Sequence, residues 1–412
     1  MTTTLPSSTV SHFMCSIIPP DLLVNIANSD QVSQRVRDGA QSTLNRSKEV
    51  RGIRQSHVHN AAGVKAVPRR AVAPAATQSN LKRTIYDCQR RSGLPFDLDH
   101  DGDLDHVPGF PRFTGVKLFD EGYKVTEATD TSARNVYEQF KQTYDFYKEV
   151  LGRDSIDNEG LRLVGCVHYD EDTEPGFFNA FYFNEVMAYG DGDGEVFRSF
   201  TDIIDITAHE LTHGVTEVTA QLEYENQAGA LNESMSDVFG SMIKQWSTNP
   251  KQEARSADWL IGQGLFLLPD VRALRDMANP GTAHDDTPIT GPDSQPRDMS
   301  GYVELYPATE ANDNGGVHLY SGIPNRAFYL VATTLGGYSW DVAGKIWYNT
   351  MLDPEIRGVD TRTAFKTFAD LTVKHAAEFG DTAVAAVNGA WTAVGVYPWN
   401  PEPRTAAGRD EL

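Results

Sequence analysis

Two histidines four residues apart, His209 and His213, flank Glu210 in the run H-E-L-T-H. On a helix that spacing stacks both imidazoles on one face, about one turn apart, so both rings reach a single metal ion. Glu210, beside the first ring, is placed to take a proton from an attacking water. Twenty residues beyond His213 the run N-E-S-M-S-D brings Glu233 and Asp237, again four apart. One carboxylate of such a pair can bind metal while the other orients a ligating histidine through its far N–H. With Glu233 as third ligand, two His and one Glu leave a fourth tetrahedral position open, as in a catalytic rather than a structural zinc site. A lone pentapeptide of this kind arises by chance, and Leu231, Val238 and Met242 make the second run amphipathic in any case. The two runs in order are what carry the assignment.

The elements that must position these residues are partly legible. A helix is expected near 202–217 for the histidines, and a second for Glu233 and Asp237. Val136, Phe140, Tyr144 and Tyr147 recur at 3–4 spacing and predict a helix over Thr131–Leu151. Residues 81 to 200 otherwise alternate short apolar runs with turns, as a β-rich half does. From about 250 the chain is expected to be mostly helical, with helices over 323–333, 339–349, 361–379 and 382–394. There is no internal repeat. At 412 residues the chain can bury substantial cores, and no run reaches the length of a membrane helix. The net charge of −21 makes nucleic acid an unsuitable partner. The charge is uneven: residues 1–80 carry nine basic and four acidic side chains, so the remainder is −26. A basic front on an acidic body describes two units that attract one another, or a basic tail.

Cys15, Cys88 and Cys166 are too few for a disulfide scaffold, and Cys166, in L-V-G-C-V, reads as a buried strand residue. No charged start followed by an apolar run marks a secretory leader. The final R-D-E-L is similar to a retention signal of the endoplasmic reticulum, read here as coincidence.

With the zinc ligands in view, the chain resembles the thermolysin-like metalloproteases among the glutamate-zincins. The likeness covers about residues 83 to 397. It includes N-A-F-Y at 179–182, Y-G-D-G-D-G at 189–194, Y-E-N-Q at 224–227, and D-N-G-G-V-H at 313–318 followed by S-G-I-P-N at 321–325. It implies an α+β, two-domain fold, with a β-rich N-terminal half and a helical C-terminal half meeting at a zinc cleft. The start I-I-P-P-D-L-L at 17–23, the helical pattern over 22–27 and a Pro/Ala-rich linker at 66–77 resemble the short propeptide of the protealysin-like branch. The division expected is therefore 1–80 propeptide and cleavable linker, 81–245 catalytic half, 246–400 helical half and 401–412 tail, with processing within 66–84.

The resemblance also implies roles. One catalytic Zn2+ is held by His209, His213 and Glu233, with Glu210 as base. His318 and Tyr224 donate to the oxyanion, and Asp313 holds His318. Asp237 orients His209, and the backbone of Asn232 orients His213. Asn179 and Ala180 pair with the substrate backbone and Arg275 binds a substrate carbonyl. Phe197, Ile206 and Leu274 line an apolar pocket for the residue after the scissile bond. The expected activity is endopeptidase cleavage before bulky apolar residues, on protein or peptide substrates. The chain's own propeptide is expected to inhibit it intramolecularly, in a monomer. Extracellular action is typical of the family, with cytoplasmic storage of the precursor as the alternative. An aminopeptidase would need an acidic anchor for the substrate amine, which no motif supplies. A binding protein with degraded catalysis is at odds with intact Glu210, Tyr224 and His318.

Departures concern calcium. Asp205 matches a ligand of the family's double calcium site, but Lys244 stands where a glutamate ligand is usual and the acidic loop near 249–257 is short. The expectation is that the Lys244 ammonium replaces calcium beside Asp205. The stretch 97–105 starts like a calcium loop, yet its twelfth position is Pro108 rather than Glu, so it is either a weak calcium site or a solvated turn. Cys15 either ligates the zinc as thiolate or is a small buried or unpaired cysteine.

Overall fold

In the computed structural model of the chain, the described residues are 15–58, 79–96, 104–105, 110–170 and 176–398. The linker at 66–77, most of the 97–105 turn, the Cys15 side chain and the C-terminal R-D-E-L lie outside them.

The chain opens with a short strand β1 (Cys15–Ser16), then helices α1 (Pro20–Asn28) and α2 (Gln34–Val58). Pro20 sits at the first position of α1, where its missing N–H costs nothing. Strands β2 (Arg83–Arg91) and β3 (Val116–Asp120) lead to α3 (Thr131–Leu151). The α3 span is the one its apolar spacing predicts. Asp130 caps it by accepting from the Ala133 N–H (3.0 Å), and Gly152 ends it in the left-handed conformation. Strands β4 (Leu163–Tyr169), β5 (Ala180–Phe183) and β6 (Val186–Tyr189) follow. The six strands form one mixed sheet in the order β1-β5-β6-β4-β2-β3, with β2, β4 and β6 parallel along the middle.

The site helices come next: α4 (Ile204–Val218) and α5 (Asn226–Ser247). Both are buried almost all round, so neither shows a simple amphipathic stripe. Gly240 lets them cross closely, since a Cβ there would lie 2.9 Å from the Asp205 carbonyl oxygen. After the short strands β7 (Leu260–Ile261) and β8 (Arg275–Asp276) come α6 (Asp313–Tyr320), α7 (Gly322–Leu335), α8 (Ala343–Leu352), α9 (Ala364–Ala376) and α10 (Asp381–Ala393). One sequence expectation needs correction, and one bond was not anticipated. The helical run begins at Asp313, not near 250, because Pro250, Pro269, Pro280, Pro288, Pro292 and Pro296 interrupt any helix across the intervening loops. Cys88 and Cys166 form a disulfide, their Cα atoms 5.9 Å apart on the adjacent strands β2 and β4. Their separation of 78 residues hides that proximity from a reading of the sequence.

Candidate active site

Helix α4 places His209 and His213 one turn apart with their Nε2 atoms 3.0 Å from each other. Helix α5 crosses behind and brings Glu233, whose two oxygens lie 3.4 Å from His209 Nε2 and 3.6 Å from His213 Nε2. The three ligand atoms fall within 4.8 Å of one another, and all three residues are buried. Each ring is oriented through Nδ1, His209 by Asp237 Oδ1 (2.9 Å) and His213 by Asn232 Oδ1 (2.8 Å). The Asn232 contact is made by its side chain, not by its backbone as the sequence reading had it. An oxygen facing each Nδ1 fixes the proton there and leaves a lone pair at each Nε2. Two converging lone pairs beside a carboxylate, with Glu233 Oε2 lacking any hydrogen-bond donor, form a donor set that fits a zinc ion. In the same chain Asp237 also accepts both arms of Arg275 (2.8 and 2.7 Å) and the Asn325 amide (2.8 Å). Burial works against the Asp237 charge, yet Arg275 and His209 hold its pKa down to about 2.

Glu210 is fully buried beside this set. Its Oε2 accepts the Tyr182 N–H of β5 (3.2 Å), and its Oε1 has no partner. Burial pushes its carboxyl up to about 8. Across the site, Tyr224 Oη donates to Glu233 and lies 3.4 Å from His318 Nε2. His318 is delivered by an unusual turn. Asp313, Asn314, Gly315 and Gly316 all have positive φ, and the two glycines take the largest values at no steric cost. Asp313 then accepts the His318 N–H and faces its Nδ1, both at 2.8 Å. Burial lowers the basicity of the His318 ring, but Asp313 and Glu233 together lift its pKa to about 9.

The N-terminal segment lies along β5, through this site. Strand β1 pairs antiparallel with β5, Cys15 opposite Tyr182 and Ser16 opposite Phe181. The Ile17 N–H donates to the Ala180 carbonyl (3.3 Å) and the Ile18 N–H to Asn179 Oδ1 (3.0 Å). Arg275 Nη1 donates to the Ile17 carbonyl (3.2 Å), and His318 Nε2 to that of Ser16 (3.1 Å). Ile17 is buried in the same continuous core as Phe197, Ile206 and Leu274. Lys244 Nζ, in the last turn of α5, lies 3.5 Å from Asp205 Oδ2 and 3.1 Å from Asp258 Oδ2, and donates to the Leu260 carbonyl (3.0 Å).

Residues 78–217 match the catalytic domain of thermolysin metallopeptidases, and residues 220–396 match their alpha-helical domain. The chain belongs to the thermolysin family of zinc metallopeptidases. It is 41% identical over 389 residues to an extracellular metalloprotease of Pectobacterium carotovorum subsp. carotovorum, covering 94% of this chain and 97% of that one. It is 39% identical over 383 residues to protease PrtS of Photorhabdus sp. (strain Az29), covering 92% and 91%. Among solved structures, the precursor of protealysin, a metalloproteinase from Serratia proteamaculans, aligns with TM-score 0.73 at 41% identity, over 93% of this chain and 99% of that one. The chain is thus a zinc metalloendopeptidase of the protealysin-like branch, with one catalytic zinc site at His209, His213 and Glu233. Three participants escaped the sequence reading. Asn325 stands inside the quoted S-G-I-P-N block, but nothing local tells of its bond to Asp237. Asp258, beside Lys244, carries no sequence signal, and although Ile17 and Ile18 open the quoted propeptide-like run, nothing local gives the register of Ser16–Ile18 along β5.

Proposed function

We propose that this endopeptidase is made as a latent precursor and cuts on the N-terminal side of bulky apolar residues. The observation that carries the reading is the extended run Ser16–Ile18, held along β5 by Asn179, Ala180, Arg275 and His318. An incoming peptide would add to the same strand through the same main-chain bonds. Residues 1–80 are then prosegment and cleavable linker, 81–245 the catalytic half, 246–400 the helical half and 401–412 a tail. The likeness to an extracellular metalloprotease supports an extracellular destination.

The chemistry follows from the chain's own groups. A bound Zn2+ supplies Lewis acidity, polarising the scissile carbonyl and making water acidic enough to deprotonate near neutral pH. Glu210, with one oxygen anchored on the Tyr182 N–H and the other free, accepts the proton of the attacking water and passes it to the leaving nitrogen. His318, held by Asp313, and Tyr224 donate to the oxygen on which charge develops. Arg275 fixes the carbonyl of the residue after the scissile bond, and Phe197, Ile206 and Leu274 take its side chain. Asp237, braced by Arg275 and Asn325, keeps His209 in the metal-binding tautomer.

Casein hydrolysis by linker-cut protein tests this. A chelator abolishes it and one equivalent of zinc restores it, while Glu210→Gln keeps stoichiometric zinc and loses at least ~10²-fold in kcat. Unchanged hydrolysis by Glu210→Gln removes the proposed base. Mapping cut sites on a peptide mixture tests the preference, which fails if acidic residues follow the cut as often as Leu, Ile or Phe.

A further inference from the structure

We infer that the Ser16–Ile17 peptide bond is a cleavage site of this enzyme on its own chain, distinct from any cut in the linker. The inference rests on the hydrolytic reading of Glu210, His318 and Arg275 given above.

The segment does not merely cover the cleft. It passes through it with each backbone group on a partner that the chemistry assigns to one position of a substrate. The Ser16 carbonyl is the one on His318, the donor for the developing oxyanion (3.1 Å). The Ile17 nitrogen, which would leave, donates to Ala180 (3.3 Å). The Ile17 carbonyl is on Arg275 (3.2 Å), and the Ile18 backbone is held on both sides by Asn179, at 3.0 Å through its N–H and 3.4 Å through its carbonyl. Shifting the register by one residue would reverse every side chain and break all of these pairings. In the observed register a bulky apolar side chain, Ile17, fully buried, occupies the position after the bond. The extended run is short. Pro19 and Pro20 have no N–H for a ladder, and α1 starts at Pro20 and turns the chain away. The Ser16–Ile17 bond is therefore the one presented to Glu210.

The step balances as ordinary hydrolysis. Water oxygen bonds to the Ser16 carbonyl carbon, and its proton passes to Glu210. The Ser16 C–Ile17 N bond breaks, and Glu210 returns the proton to the Ile17 nitrogen. The products are a Ser16 carboxylate and an Ile17 amine. Among the described residues, the fragment ending at Ser16 is then held by the β1 pairing with β5, while α1 and α2 stay docked.

The test uses the full chain, loaded with one equivalent of zinc and followed by intact mass and N-terminal labelling. A fragment ending at Ser16 and a new N-terminus at Ile17 are expected, with a first-order rate unchanged over a tenfold range of protein concentration. Glu210→Gln should give neither product. Ile17→Asp should slow the cut at least ~10-fold, as loss of one buried aliphatic contact requires. In zinc-free Glu210→Gln protein, the Ile17 and Ile18 amides should exchange with deuterium at least ~10²-fold slower than in a free peptide. Free exchange there, a rate that grows with concentration, or a Ser16–Ile17 bond that stays intact in the zinc-loaded full chain while linker-cut protein digests casein would each overturn the inference. Linker-cut protein loaded with the same zinc that digests no casein would defeat the endopeptidase reading itself, and this inference with it.

Discussion

Replacing Lys244 with methionine isolates its contact with Asp205 on the zinc helix. The Asp205 side chain is 0% exposed, one turn before His209, and the Lys244 side chain is 17% exposed with Nζ at 3.5 Å. At that distance and an effective dielectric of about 20, the attraction is roughly 5 kcal/mol. Part of it returns as solvent reaches the vacated space, and the Gly262 N–H still donates to Asp205 Oδ2 (3.3 Å). Removing one partner of a buried pair commonly costs ~3–5 kcal/mol, and the low end, about 3, applies to this partly wetted lysine. With a urea slope of about 3 kcal/mol/M, the midpoint falls by roughly 1 M. Burial raises the Asp205 pKa above the usual carboxylate value, and Lys244 opposes that rise. The pair stabilises only while Asp205 is ionised. The gap between wild type and Lys244→Met is therefore complete only above the still higher Asp205 pKa of the variant, and closes as pH falls from there through the wild-type value. In an Asp205→Asn background the lysine keeps Asp258 and the Leu260 carbonyl, so its loss should cost less, and the double-mutant cycle should return a coupling of at least about 1 kcal/mol. Lys244→Glu should make stability depend on millimolar calcium, as expected if the ammonium stands in for a divalent ion. A cost under about 1 kcal/mol, or no coupling to Asp205, refutes the reasoning.

Further outcomes are open to measurement. His318→Ala should lower kcat by ~10²–10³ with zinc content unchanged, since it removes one oxyanion donor; a loss confined to zinc binding would contradict that role. His168 bonds Asp191 through Nδ1 (2.7 Å) and Asp130, the α3 cap, through Nε2 (2.9 Å), and these partners raise its pKa to about 9. Because the folded pKa lies above the unfolded value near 6.5, this stabilisation, at most about 3 kcal/mol, is complete below pH ~6.5 and is lost as pH rises through about 9. Denaturation midpoints at both ends of that window should show the loss in wild type and not in His168→Gln. Gly39 of α2 abuts the buried Phe178 ring, and an added Cβ would lie 2.3 Å from Phe178 Cζ. Gly39→Ala should therefore loosen the docked segment and raise the initial casein rate of the full chain ~10-fold; an unchanged rate would show that α2 docking does not maintain latency.

What the sequence determined by itself is what repeats over a turn or two of chain. The i, i+4 spacing of His209 and His213, and of Glu233 and Asp237, is set by helix geometry, so the zinc set was readable before any packing was known. The same holds for α3, whose apolar spacing, cap and terminal glycine agree. Across the sixty residues before Asp313 no period exists, and turn-forming prolines left the path to tertiary contacts. Those contacts decided the rest. The Cys88–Cys166 bond depends on β2 lying beside β4, and the Asp237–Arg275–Asn325 brace on three segments meeting behind one histidine. The identity of the bond held against Glu210 depends on strand register, a property of two paired segments that neither encodes alone.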